Sequence, residues 1–150
     1  MKIIIREYRV KDYHRIEQIH DLARLQELKI GKAEHYFQPL AKAIYRADLF
    51  NSKIFVACHK RRIIGFVAIK PHLLDYIYIN PAFQGRGVGK KLLSYSLKGM
   101  KRPVSLEVFS ENIVAQKLYR SCGFKTEKVT YQQWDEQDPQ KYSGETMVLN

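Results

Sequence analysis

The stretch Asn80-Pro81-Ala82-Phe83-Gln84-Gly85-Arg86-Gly87-Val88-Gly89-Lys90-Lys91 carries three glycines at alternate positions and ends in two lysines. A dense apolar run precedes it and a segment of helical periodicity follows, so it reads as a turn from a strand into a helix. In such a turn, successive backbone N–H groups and the positive end of the helix dipole converge on one point. Glycine lets the backbone approach an anion closely and take positive φ. From Ala82 to Arg102 there are six cationic side chains and no acidic one. This is the chemistry of a pyrophosphate cradle, against the plainer alternative of a tight turn. Spacing excludes two nucleotide-binding forms of it. A P-loop needs glycine where Gln84 stands, and Ser or Thr where Lys91 stands. A dinucleotide fingerprint beginning at Gly85 needs a further glycine at Lys90.

Five other residues stand out for their chemistry. Asn112 lies at an expected helix start, where Asn is a favoured cap. Tyr119 follows seven residues later, two turns on, and projects from the same face. It either packs the helix on the sheet or presents a phenol, of pKa near ~10, that can donate to a leaving group. Glu107 alternates with Leu106 and Val108 in an apolar strand and so points away from them. A carboxylate there is costly unless solvated or paired, which turns it toward a cleft or a cation. In a cleft it could take a proton, with Asp75 as a weaker alternative. Cys122 invites a covalent mechanism through its thiol, but its place before Gly123, on the Val114-Leu118 face, reads as buried. The scattered His14, His20, His35, His59 and His72 form no spaced ligand set, and two cysteines form no disulfide framework. No metal is expected.

These residues need elements to hold them. Lys2–Tyr8 reads as a strand, Asp12 to Gly31 as a helix with Tyr13, Ile16, Ile19 and Ala23 inward, and Pro39 as the first turn of a second helix carrying Leu40, Ile44 and Tyr45. Strands are expected over 53–59, 63–70 and 73–80, a helix over 87–101, and a strand over 103–109. A helix ended by Gly123 follows, with Val114, Ala115, Leu118 and Tyr119 inward. The last two strands, around 124–134 and 145–149, flank a polar, acidic loop. The order is α+β, and the 150 residues suit a single domain, 1–150. Hydrophobic residues make up 45% of the chain, which excludes disorder, and no apolar run nears the ~20 residues that span a bilayer. The N-terminus meets a charge too early for a signal peptide, so a cytoplasmic protein is expected. The net charge is +11, yet residues 127–150 are net negative.

Gln84, Gly87 and Gly89 resemble the Q/R-x-x-G-x-G/A signature of the GNAT N-acetyltransferases. Leu74 to Pro81 is similar to that family's splayed fourth strand. Leu106-Glu107-Val108-Phe109, with Asn112, Tyr119 and Cys122-Gly123-Phe124, resembles its fifth strand and the helix after it. The likeness is greatest to small bacterial members that acetylate protein amino groups, including those of ribosomal proteins. The resemblance implies a mixed, mostly antiparallel sheet of about seven strands, splayed between the fourth and fifth, with about four helices. It also implies acetyl-CoA as cosubstrate, with Ile77, Tyr78 and Ile79 along the pantetheine. Gln84, Gly85, Arg86, Gly87, Val88, Gly89 and Lys90 would hold the pyrophosphate, and Asn112 would add a contact. A backbone N–H of the fourth strand would hold the thioester oxygen. Tyr119 would be the general acid and Glu107 the base. Two loops would flank the acceptor, bringing His35, Tyr36 and Phe37 from one side and Trp134, Asp135, Glu136 and Asp138 from the other. Their acidic rim points to a cationic amine acceptor, a protein lysine or N-terminus first and a polyamine second. An aminoacyl-tRNA acceptor, or a polyanion-binding module without enzyme activity, are the alternatives that the basic composition leaves open. Monomer and homodimer are both compatible with the sequence.

Overall fold

Strands Ile4–Glu7 (β1), Lys53–His59 (β2), Arg62–Lys70 (β3), Leu73–Ile79 (β4), Val104–Phe109 (β5), Lys125–Asp135 (β6) and Asp138–Leu149 (β7) form one sheet in a computed structural model describing residues 1–150. The strand order is β1-β2-β3-β4-β5-β7-β6, and every pairing is antiparallel except β4 with β5. The helices are Tyr13–Ile30 (α1), Arg46–Phe50 (α2), Val88–Leu97 (α3) and Ile113–Ser121 (α4). This is the expected mixed α+β sheet.

The central strands are apolar on both faces because both faces are covered. Phe55, Ala57, Ile64 and Val67 pack with Val88, Leu92 and Leu93 of α3 and Tyr119 of α4. Ile54, Val56, Phe66 and Ala68 point the other way, onto Ile16, Ile19 and Ala23 of α1. Fully burying a side chain such as Leu92 or Leu93 contributes about 1.5–3 kcal/mol. Asp12 stands at the start of α1 but does not cap it. Its carboxylate accepts from the Arg6 guanidinium (2.8 and 3.0 Å) and the Arg9 N–H (2.8 Å), tying β1 to the helix. At the other end, a Cβ on Gly31 would fall 2.6 Å from the Phe109 ring, so glycine lets α1 reach the end of β5.

The sheet is not continuous through its middle. β4 and β5 are paired at Leu73 with Ser105 and diverge beyond that point. The register between β3 and β4 also shifts, with Ala68 opposite Tyr76 and Ile69 opposite Leu74, leaving Asp75 as the extra residue of a bulge. Both features open a gap into which side chains from two layers project.

Four expectations need correction. The segment after Pro39 is not one helix. A 3-10 turn over Leu40–Lys42 is followed by extended backbone at Ala43 and then by α2, and Ile44 is 90% exposed. The third helix stops at Leu97 rather than running to Lys101. The acidic loop between the last strands is mostly strand, because β6 and β7 pair as far as Asp135 with Asp138. On α4, Val114 is 82% exposed, while Gln116 is buried and donates to the Phe109 and Ser110 carbonyls (3.0 and 2.9 Å). No helix is long and apolar enough to cross a membrane.

Candidate active site

A cavity of about 370 Å³ lies between β4, α1, α3 and α4. Ile77, Tyr78 and Ile79 line it from the strand, Gln84, Gly85, Gly87, Val88, Gly89 and Lys90 from the turn, and Asn112, Leu118 and Tyr119 from the α4 side. Gly85 and Gly87 have φ of +75° and +83°, and a Cβ on either would meet nothing within 4 Å. Glycine is therefore needed there for backbone conformation and not for space. The first bond of α3 runs from the Lys91 N–H to the Gly87 carbonyl (3.1 Å), which leaves the amides ahead of it free to face an anion. Gly89 differs, since its Cβ would lie 3.0 Å from Leu118, so it also sets the approach of α3 to α4. The Gln84 amide donates to the Ile79 carbonyl (3.2 Å) and to Gln26 (2.7 Å), fixing the turn to β4 and α1. Asn112 caps α4 by accepting from the Ala115 N–H (3.2 Å) and borders the cavity too. Arg86 does not border it; its guanidinium sits over the Phe83 ring at 5.4 Å.

Tyr119 is 7% exposed, and its hydroxyl takes part in none of the side-chain hydrogen bonds of the fold. No fully buried polar side-chain atom lacks a partner, so this hydroxyl is reached from the cavity. Burial, and then the Glu27 carboxylate, push its pKa well above that of an ordinary tyrosine. It stays protonated.

A second cavity, of about 550 Å³, opens on the α1 face of the gap. Arg24, Glu27, Tyr45, Asp75, Tyr76, Tyr78, Glu107, Phe109, Trp134 and Tyr142 are among its lining residues. Glu27 and Tyr78 border both cavities, so the two meet there. Glu27 accepts from Arg24 (2.5 Å) and from the Tyr78 hydroxyl (3.1 Å). Glu107 faces this second cavity, as its alternation in β5 predicts, and accepts from Thr146 (2.8 Å). Asp75 is committed to Lys70 (2.5 Å), which also pairs with Asp48 (3.1 Å), and burial holds the Asp75 pKa above the usual carboxylate value. Arg24, Glu27, Tyr45 and Tyr76 escaped the sequence reading. For Glu27 there was a signal: it continues, four residues on, the stripe of α1 that includes Ile16, His20 and Ala23.

Residues 50–126 match the model of an acetyltransferase (GNAT) domain, which is half of the chain. The chain belongs to the GNAT acetyltransferase family. A mycothiol acetyltransferase of Mycobacterium marinum is 35% identical over 86 residues, covering 45% of this chain and 27% of the relative. The peptidyl-lysine N-acetyltransferase YjaB of Escherichia coli is 29% identical over 83 residues, 55% of this chain and 56% of that one. The chain thus spans about a quarter and about half of these two relatives. Among solved structures, yncA of Salmonella typhimurium, determined with acetyl-CoA, superposes with a TM-score of 0.76 over 100% of this chain and 94% of that one, at 21% identity.

In this GNAT chain, the segments expected to flank the acceptor do meet, but they spend their polar groups on each other. Asp138 Oδ2 accepts from the Tyr36 hydroxyl (2.7 Å) and the Tyr142 hydroxyl (2.9 Å) and bonds His35 Nε2 (3.1 Å). Asp135 accepts from the Gln137 N–H (2.9 Å). Trp134 alone of the seven expected acceptor residues lines the second cavity, whereas His35, Tyr36, Phe37, Asp135, Glu136 and Asp138 do not. The physical reason is the long hairpin, which carries those acidic groups past the cavity and onto the loop after α1. Tyr36, Trp134 and Tyr142 pack there with ring centroids 4.8–5.8 Å apart.

Proposed function

We propose that this chain transfers the acetyl group of acetyl-CoA to a cationic primary amine, a lysine side chain or N-terminus of a protein or peptide, with both substrates bound together. The meeting of the two cavities at Glu27 and Tyr78 carries this reading. One cavity suits the cosubstrate. Its glycines adopt the conformations that aim free amides at an anion, and β4 beyond Leu73 has an edge that β5 does not cover, to which pantetheine amides can add as a strand would. The acyl group then arrives next to Tyr119, and the thioester oxygen points to a backbone N–H of β4. The Tyr119 phenol gives its proton to the departing sulfur.

The other cavity suits the acceptor. With Arg24 on Glu27 and Lys70 on Asp75, Glu107 is left as the carboxylate of the lining without a cation, so it draws an ammonium that the basic body repels. Tyrosines and Trp134 can bracket an alkyl chain. Glu107 is the solvated carboxylate of this set and takes the proton that the nitrogen sheds as the amide bond forms, directly or through water. The similarity to YjaB, a peptidyl-lysine N-acetyltransferase, agrees with a peptide acceptor. The test is thiol release from acetyl-CoA with a lysine-bearing peptide, spermidine and a neutral aminoacyl ester as acceptors. Turnover with the peptide above that with the other two is the expected result. Preference for spermidine moves the acceptor to polyamines, and preference for the ester moves it to aminoacyl groups. If no acceptor releases thiol while RNA binds in a salt-dependent manner, the enzyme reading is replaced by polyanion binding.

A further inference from the structure

His20 is a buried ionisable side chain that the acyl-transfer chemistry leaves unused. Its side chain is 0% exposed, in the middle of α1, and each ring nitrogen has one polar partner. Nδ1 is 2.8 Å from Asp21 Oδ1, and Nε2 is 2.5 Å from the Tyr45 hydroxyl. Asp21 Oδ1 also accepts the Leu40 N–H (2.8 Å), and a carboxylate offers no proton to share, so Nδ1 must be the nitrogen that carries the hydrogen. Nε2 is then an acceptor, and the Tyr45 O–H points at it. Tyr45 lines the acceptor cavity, while the Asp21 side chain, at 34% exposure, reaches solvent. The three groups make an unbroken line from the cavity through the helix layer to water.

We propose that Tyr45, His20 and Asp21 relay the acceptor's proton from the cavity into the helix layer and hold it there while the amine attacks. The inference rests on the acetyl transfer proposed above. The ammonium N–H bond breaks and its proton goes to the Tyr45 oxygen as the phenol's own proton passes to His20 Nε2. The imidazolium formed is held by Asp21, and the neutral amine is left free to attack. Once the amide has formed, the Nε2 proton returns through Tyr45 to water in the emptied cavity, so one proton enters, one leaves and the ring regains hydrogen on Nδ1 alone. Burial lowers the His20 pKa, so the ring waits neutral at physiological pH, as a proton acceptor must. The charges facing it are Asp21, Arg24 and Glu27 of α1, with Tyr78 of β4 edge-on at 5.5 Å and Tyr76 stacked on Tyr45. Burial also raises the Tyr45 pKa, so the proton resides on His20 only while Asp21 supports the imidazolium. Tyr45 contacts the acceptor in this scheme, and His20 and Asp21 act through it.

The test compares the full chain with Tyr45→Phe and His20→Gln across about pH 6.5 to 9.5, a range chosen to approach the lysine pKa of ~10.4. Thiol release is read with the lysine peptide and with spermidine, and the His20 ring nitrogens are read by NMR. The expected result is a loss of roughly tenfold or more in kcat/KM for the amine near neutral pH in both variants. The loss should close toward the alkaline end, where the amine arrives already neutral, with acetyl-CoA affinity unchanged throughout. His20 should show hydrogen on Nδ1. An equal loss at every pH would reduce the trio to packing, and hydrogen on Nε2 would reverse the donor order; either overturns the relay. An active parent chain with undisplaced variants removes the relay alone, whereas a parent chain silent with both amines removes the acetyl-transfer reading and the relay with it.

Discussion

Tyr119 shows how one side chain's surroundings set its role. Burial holds its phenol protonated far beyond neutral pH, so it can only donate, and the cavity-facing hydroxyl has nothing in the protein to donate to. Tyr119→Phe keeps the ring contact with Phe124 (6.2 Å) and removes only the proton. Turnover should fall roughly 10²-fold while calorimetry finds acetyl-CoA affinity unchanged; an unaltered rate would return Tyr119 to packing. This residue was legible in the sequence because its spacing of seven from Asn112 fixes the face both share, and both do border one cavity. Glu107 was legible from strand alternation. Glu27, Arg24 and Tyr45 were much less so. Charged residues on an 18-residue helix are ordinary, and nothing local says which of them a neighbouring strand will enclose. Only the Tyr78 hydroxyl reaching across from β4 gives Glu27 its place at the junction.

Among the elements, the glycine turn was read well because its requirement is local. Positive φ at Gly85 and Gly87 comes from the chain's own path from β4 into α3, so the pattern of residue types carries the information. Gly87→Glu meets no steric obstacle, and the left-handed conformation costs a side chain about 1–2 kcal/mol. Its carboxylate, however, opposes the anion the turn would hold. The variant should remain folded by circular dichroism and lose acetyl-CoA binding by calorimetry; retained binding would mean that the cradle lies elsewhere. Gly89→Glu is a poorer test, because its Cβ also presses on Leu118. The segment from Pro39 to Phe50 failed for the opposite reason. Leu40 and Ile44 are four apart and mimic a helix face, but long-range contacts decide the conformation. Asp21 takes the Leu40 N–H, His20 holds Tyr45, and Ile44 is left in solvent. A helix would satisfy the periodicity and break both bonds.

At the scale of the whole molecule, a chain of net charge +11 gathers carboxylates in two places: the lining of the second cavity and the tip of the β6–β7 hairpin. From sequence alone the hairpin was taken as the recognising rim, because a run of acidic residues is visible there and a cavity wall is not. The fold separates the two roles. Asp138 is a fastening between the hairpin and the loop after α1, with Tyr36, Tyr142 and His35 all on one oxygen, and it holds Tyr142 and Trp134 against the second cavity. The Tyr36 hydroxyl, aided by the Gln140 N–H and the other two partners, keeps the Asp138 pKa well below the usual carboxylate range. A carboxylate depressed in the folded state adds stability that is complete above its unfolded pKa of ~3.9 and is lost as pH falls toward the depressed value. Asp138→Ala should therefore melt below the parent chain by a margin that is constant from neutral pH to about pH 5 and narrows only in stronger acid. It should also raise the acceptor KM several-fold without altering acetyl-CoA affinity, because the wall of one cavity loosens and the other is untouched. Asp135→Asn combined with Glu136→Gln removes as much rim charge as the fastening variant does, or more, yet leaves the three bonds to Asp138 intact, so its acceptor KM should stay near that of the parent. If that double variant raised KM as much as Asp138→Ala, most strongly at low salt where screening is weakest, the hairpin would be reading the acceptor's charge after all.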